Sequence, residues 1–150
     1  MKIYIKNQQK DLNLSNKKSQ LICIIESVLD YENARADELS LFFVSDRKMK
    51  EIHQEFFQDS SSTDCMSFPI DEPNSLEYCL LGEIFVCPKT AILFSQKRNK
   101  NPYTEITLYI VHGLLHLLGY DDIEPKSRKV MRRKERECMK MLESKGLILS

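Results

Sequence analysis

The chain has no net charge to offer a partner: 22 Lys and Arg balance 22 Asp and Glu. General attraction to nucleic acid or an anionic membrane is therefore excluded, and any nucleic-acid role must rest on local clustering. No apolar run approaches the roughly 18 residues of a membrane span. The opening MKIYIKNQQK has neither an apolar h-region nor a small-residue cleavage site, so no secretory signal is expected. The 5 cysteines (Cys23, Cys65, Cys79, Cys87, Cys138) are odd in number and form no CxxC pair. That speaks against a disulfide framework and a cysteine-based zinc site. It favours reduced thiols in the cytoplasm, most of them small core residues. With 4 Gly, 5 Pro and no repeat, only the polar stretch 58–63 (QDSSST) reads as a linker.

The 150 residues, 42% hydrophobic and 29% charged, suit one soluble domain spanning 1–150. Short β-rich runs alternate with longer helical patterns. Strands are expected at 2–5, 39–44, 64–68 (an edge strand stopped by Pro69) and 81–87. Apolar spacing predicts helices over 19–32, 46–57, 89–98, 103–118 and 125–144. Ser45-Asp46 caps the second helix, Pro88 opens the third, Asn101-Pro102 precedes the fourth, and Gly119 ends it. The expectation is an α+β (α/β-like) fold with a mixed sheet of about four strands and about five helices.

The segment that carries chemistry is VHGLLHLLGYDD, residues 111–122. His112 and His116 stand at i and i+4 on the predicted helix 103–118. Four residues turn about 400°, so the two imidazoles leave within about 40° of one another. One tetrahedral cation can accept both. Gly119 can take the left-handed backbone that folds the chain back, and Asp122 then approaches as a third ligand. Such a site, H-x-x-x-H-x-x-G-x-x-D, leaves a position open for water and reads as hydrolytic. The competing reading is a pair of ordinary helix histidines with no metal. In zincin peptidases a general-base Glu follows the first His; Gly113 stands there and cannot polarise water.

Together with three further segments, this motif resembles the YbeY family of bacterial ribosomal-RNA maturation factors, single-strand endoribonucleases. Residues 40–46 are similar to its L-x-x-V-x-D entry, 63–69 (TDCMSFP) to T-D-V-L-S-F-P, and 81–88 (LGEIFVCP) to L-G-D-I-x-I-x-P. Residues 112–121 are similar to H-G-x-L-H-L-x-G-Y-D, and the likeness extends over about 39–139. It implies one zinc ion per chain on His112, His116 and Asp122 as ligands and catalytic centre, and no organic cofactor. Asp121 is either a rival ligand or a group orienting one. The implied substrate is single-stranded ribosomal RNA, cut in late 16S 3′-end maturation and quality control, with the small ribosomal subunit as partner.

Two positions depart from the family pattern. Its motif ends in a third His where this chain has Asp122. An aspartate is an accepted zinc ligand, and the lower charge predicts more tolerance of harder cations such as manganese. The family also carries an Arg shortly before T-D-V-L-S-F-P; ungapped counting places Phe57 there, which cannot stabilise charge on a phosphate.

Residues 126–140 carry Lys126, Arg128, Lys129, Arg132, Arg133, Lys134, Arg136 and Lys140 against Glu135 and Glu137. Six of these (Lys126, Arg128, Lys129, Arg132, Arg133 and Arg136) are candidate RNA contacts. Val130, Cys138, Met141 and Leu142 recur at helical spacing, so a merely solvated amphipathic helix is the alternative. His53 shares a predicted stripe with Met49, Ile52 and Phe56 and reads as structural. The sheet is expected to form a groove beside the motif helix. Metallopeptidase and non-catalytic ribosome-associated factor remain the rival functions.

Overall fold

The computed structural model describes residues 1–59 and 63–150. The chain runs β1 (Lys2–Gln8), α1 (Lys18–Tyr31), β2 (Glu38–Val44), α2 (Asp46–Phe57), β3 (Cys65–Pro69), β4 (Leu80–Val86), α3 (Pro88–Arg98), α4 (Pro102–Leu117) and α5 (Pro125–Ser144). The expected α+β arrangement is therefore present. The middle of the predicted 58–63 linker falls outside the described residues.

The sheet order is β1-β2-β4-β3. β1, β2 and β4 are parallel, and β3 runs antiparallel along β4 as an edge strand. Pro69 ends β3, as a residue without a ladder donor should. Leu39, Leu41 and Phe43 of β2 alternate onto one face and join Leu81, Ile84 and Val86 of β4 in the main core. The three-residue step from Leu81 to Ile84 keeps both inside because the β2–β4 register shifts there. Gly82 sits at that irregularity with φ +154°; a Cβ would lie 2.4 Å from the Phe68 carbonyl oxygen. The opposite face carries a smaller cluster of Val44, Met49, Ile52, Met66 and Cys87.

α2 covers that second face with Met49 and Ile52 only. Phe56, expected on the same stripe, is 58% exposed. Its ring packs tilted against Phe68 of the edge strand β3, 4.9 Å between ring centroids. Three of the five cysteines are buried, while Cys23 is exposed and Cys65 half-buried.

α4 is the structural axle. It packs on β3, β4, α1, α3 and α5, and Ile106, Ile110, Val111, Leu114 and Leu115 are fully buried. Burying each such side chain is worth about 1.5–3 kcal/mol, enough to fix the helix and therefore the histidines it carries. Asn101 caps it, accepting from the Tyr103 N–H at 2.9 Å, with Pro102 in the first turn.

Candidate metal centre

The end of α4 builds the site. Gly119 adopts φ +101°. Its N–H donates to the His116 carbonyl at 3.0 Å, and the Tyr120 N–H reaches back to Leu115 O at 3.0 Å. These two bonds form a Schellman ending, which needs a left-handed residue where Gly119 stands. The Tyr120 hydroxyl then donates to Glu32 at 2.6 Å, and Lys134 reaches the same carboxylate at 3.4 Å. The turn is thus tied to both α1 and α5, and the following residues are thrown back beneath the helix.

Asp122 arrives there. Its carboxylate oxygens lie 3.9 Å from His112 Nε2 and 3.9 Å from His116 Nε2. The two Nε2 atoms are 3.0 Å apart. All three donors fall within 4.8 Å of one another. A tetrahedral ion bonded at about 2.0–2.1 Å sets its ligand atoms roughly 3.4 Å apart, between the separations found here.

The ring nitrogens facing away from this point are both engaged. His112 Nδ1 lies 2.6 Å from Glu135 Oε1, and His116 Nδ1 lies 3.0 Å from the Tyr120 carbonyl oxygen. A carboxylate and a carbonyl only accept, so each Nδ1 carries a proton, and in the neutral rings each Nε2 presents a lone pair. Two lone pairs at 3.0 Å repel unless a proton or a metal ion stands between them. The donor set fits a divalent metal on this observation.

Burial lowers the basicity of His112, but the hydrogen bond and charge of Glu135 outweigh it and raise its pKa above 6.5. His116 is lowered by burial and by His112.

The remaining candidates occupy different places. The Asp121 carboxylate accepts from the Ile123 N–H at 3.2 Å and so shapes the turn, whereas the two histidine rings are oriented by Glu135 and the Tyr120 carbonyl. Glu135 was missed as a site residue by sequence reasoning. Its only signal is being acidic within the basic run of α5. Arg128 donates to the carbonyls of Asp122 and Ile123, both at 3.2 Å. Lys126, Lys129, Arg132, Arg133 and Arg136 are exposed on α5, while Lys134 is half-buried against Glu32.

Gly113 is where α4 meets the sheet. A Cβ there would stand 2.7 Å from Ile84 Cγ2, 3.0 Å from Cys65 Sγ and 3.2 Å from Ser67 Oγ. Ser67 Oγ donates to the Gly113 carbonyl at 3.0 Å. The close packing explains the glycine and leaves no room for the zincin glutamate.

A groove of about 490 Å³ runs beside β3 on one side of the histidines, with His53, Phe57, Ser67, His116 and Tyr120 among its walls. Phe57 is 55% exposed, and its ring packs against His53 at 5.2 Å and Phe68 at 6.4 Å between centroids. No cation stands at that position. His53 is half-buried and faces the groove rather than the core. A second cavity, of about 300 Å³, lies across His112 between α4 and α5. Among the described residues, no helix is long and apolar enough to cross a membrane.

The sequence profile described as Endoribonuclease YbeY matches residues 4–143. Endoribonuclease YbeY of Protochlamydia amoebophila is 43% identical over 143 residues, covering 95% of this chain and 93% of that protein. The Chlamydia felis protein of the same name is 41% identical, covering 100% of this chain and 96% of its own. The solution structure of TM1509 from Thermotoga maritima superposes with a TM-score of 0.64 at 27% identity, over 95% of this chain and 90% of that one. A match of this extent, on a chain whose two histidines and following turn converge on one point, places it: the protein belongs to the YbeY endoribonuclease family.

Proposed function

We propose that this protein is a single-strand-specific, metal-dependent endoribonuclease of ribosomal-RNA maturation, acting in the cytoplasm on late 16S 3′-end processing and quality control at the small subunit. The observation that carries the reading is the pair of facing Nε2 lone pairs with Asp122 beside them, opening onto a groove. His112, His116 and Asp122 would hold one zinc ion, with manganese an acceptable substitute. Bound there, the metal supplies Lewis acidity toward a phosphodiester or an attacking water.

The chain's own groups do the positioning. Glu135 and the Tyr120 carbonyl hold the two rings with Nε2 inward. Arg128, by gripping the Asp122 and Ile123 carbonyls, holds the third donor in place. The groove along the open edge of β3 gives an extended strand a path past His116. The exposed Lys126, Lys129, Arg132, Arg133 and Arg136 offer counterion release along the RNA backbone.

End-labelled single-stranded RNA with zinc or manganese tests the reading, set against a duplex of the same sequence and against chelator. Cleavage of the single strand alone, abolished by chelator and reduced more than about 100-fold by His116→Ala, is the expected result. Cleavage untouched by His116→Ala would refute the site. RNA carrying a 16S 3′-end sequence should be cut at one position; indiscriminate cutting would refute the maturation role.

A further inference from the structure

The metal-binding face of α4 continues past the histidines. Glu105, Tyr109, His112 and His116 are spaced +4, +7 and +11, which places all four within about 60° on one side of the helix. Glu105 and Tyr109 are 8% and 6% exposed. Both line the cavity between α4 and α5 that His112 and Asp122 close at its other end. Neither polar end group has a hydrogen bond or ion pair with any described residue. Neither end group is sealed in the core: both open into the same space, which Asp64 also lines. Phe94 forms part of the wall and Arg132 stands at the rim.

We propose that this cavity is a nucleobase subsite, in which Glu105 and Tyr109 read a base bearing an exocyclic amino group while Arg132 meets the attached phosphate. The proposal rests on the endoribonuclease reading for its place in the reaction: the base belongs to a nucleotide flanking the bond cut at the metal. A carboxyl oxygen accepts from the amino group of cytosine, adenine or guanine, and the tyrosine hydroxyl can donate to the adjoining ring nitrogen or oxygen. Uracil has no exocyclic amino group and sets carbonyl oxygens against the same carboxyl. The cavity is large enough for one base, and Phe94, which carries the Arg98 guanidinium 3.8 Å from its ring centroid, forms part of the wall. Along the helix, Glu105 stands about 10 Å from His112, outside the reach of the metal itself. Burial raises the Glu105 pKa; the ionised carboxyl only accepts and disfavours the uracil carbonyl, whereas the protonated form could also donate to it, so base selectivity belongs to the ionised form.

Glu105 also lies near the start of α4, where a carboxylate stabilises the helix dipole. That role affects stability and has no bearing on base choice. The test therefore measures binding of cytidine and uridine 5′-monophosphate to the full chain by calorimetry, alongside metal affinity and thermal stability. Cytidine monophosphate should bind the wild type about tenfold more tightly, the value of one good buried hydrogen bond. Glu105→Leu should reduce cytidine binding to the uridine level, and Tyr109→Phe should weaken it without loss of the fold. Metal affinity should stay within twofold in both.

Equal binding of the two nucleotides by the wild type, or a preference that survives Glu105→Leu in folded protein, would overturn the proposal. Sequencing of fragment ends from a randomised single-stranded RNA separates the two readings. Uracil depleted at one fixed position from the cut, with the depletion lost in Glu105→Leu, supports both. Cleavage without base bias and without selective nucleotide binding leaves the nuclease and removes the subsite. Selective cytidine binding without any cleavage leaves the subsite and removes the nuclease.

Discussion

Glu135→Ala should perturb the proposed metal centre while leaving all three candidate donors in place. In the native chain Glu135 Oε1 lies 2.6 Å from His112 Nδ1, with side-chain exposures of 18% and 28%. Its loss frees the imidazole to rotate and to move its proton to Nε2, which would close the lone pair. Removing such a carboxylate behind a metal-bound histidine costs about 10–100-fold in metal affinity, or about 1.4–2.8 kcal/mol. Protons compete with the metal for His112, and the sign of that competition is set by Glu135, which outweighs burial and raises the pKa above 6.5. In the wild type, affinity therefore keeps climbing until the pH passes that raised value. In Glu135→Ala burial is opposed only by the charges of Asp64 and Asp122, and the climb ends at lower pH. The gap between the two proteins should be widest near pH 8 and should narrow toward pH 6. In the metal-free protein the same pair adds stability that is full below about pH 6.5 and lost as the pH rises through the raised value. Competition titration of zinc against a chromophoric chelator at the two pH values reads the first effect, with Glu143→Ala, exposed on the same helix, as control. An affinity within twofold of wild type at pH 8 would refute the reasoning.

Asp122→Ala should weaken zinc binding by at least about tenfold, while Asp121→Ala, whose carboxylate only accepts from Ile123 N–H, should stay within a few-fold; equal losses in the same titration would contradict the assignment. Gly113→Ala should cost about 1–3 kcal/mol because its Cβ would stand 2.7 Å from Ile84. An unchanged melting temperature would show that α4 and β4 can part freely. Phe57→Arg places a guanidinium on the groove wall beside His116. Single-stranded RNA affinity should rise, with the salt slope steeper by about 0.7; filter binding at several salt concentrations, showing an unchanged slope, would exclude a phosphate path there.

The parts of the fold that follow from local chemistry were legible in the sequence. Ser45, Asn101, Pro88, Pro102 and Gly119 mark helix ends by their own donors, acceptors and torsions, and the structure uses each where expected. The convergence of His112 and His116 was legible for the same reason, being a consequence of helix pitch. What was not legible depends on how distant elements dock. Glu135 meets His112 only because α5 packs back along α4, and nothing in the spacing of α5 announces that contact. Phe56 satisfies the helical stripe of α2 yet is exposed, because it packs against Phe68 on the edge strand. Gly113 was read as a missing base, but its reason is tertiary: β3 and β4 approach too closely for a side chain.

The two departures from the family pattern act on one quantity, the positive charge available to a phosphate. With two neutral imidazoles and Asp122, a bound divalent ion leaves the ligand sphere at +1, and Glu135 behind His112 brings the surroundings to about zero. A third imidazole would leave one unit more. Phe57 removes a further cation from the groove wall. Across His112, however, Arg128 and Arg132 both line the second cavity. Arg128 is committed to the carbonyls of the turn that carries Asp122, so the residue that secures the anionic ligand also returns positive charge beside it. Arg132 has its guanidinium at an exposed rim. The fixed cations nearest the centre thus stand on α5 and not on β3, although Asp64, Glu105 and Glu135 line the same cavity. A transition state bearing extra negative charge is stabilised by whatever fixed cations stand nearest to it. In this chain those cations are the ones on α5, so a strand lying along the β3 groove meets them only where its phosphate passes over the histidines.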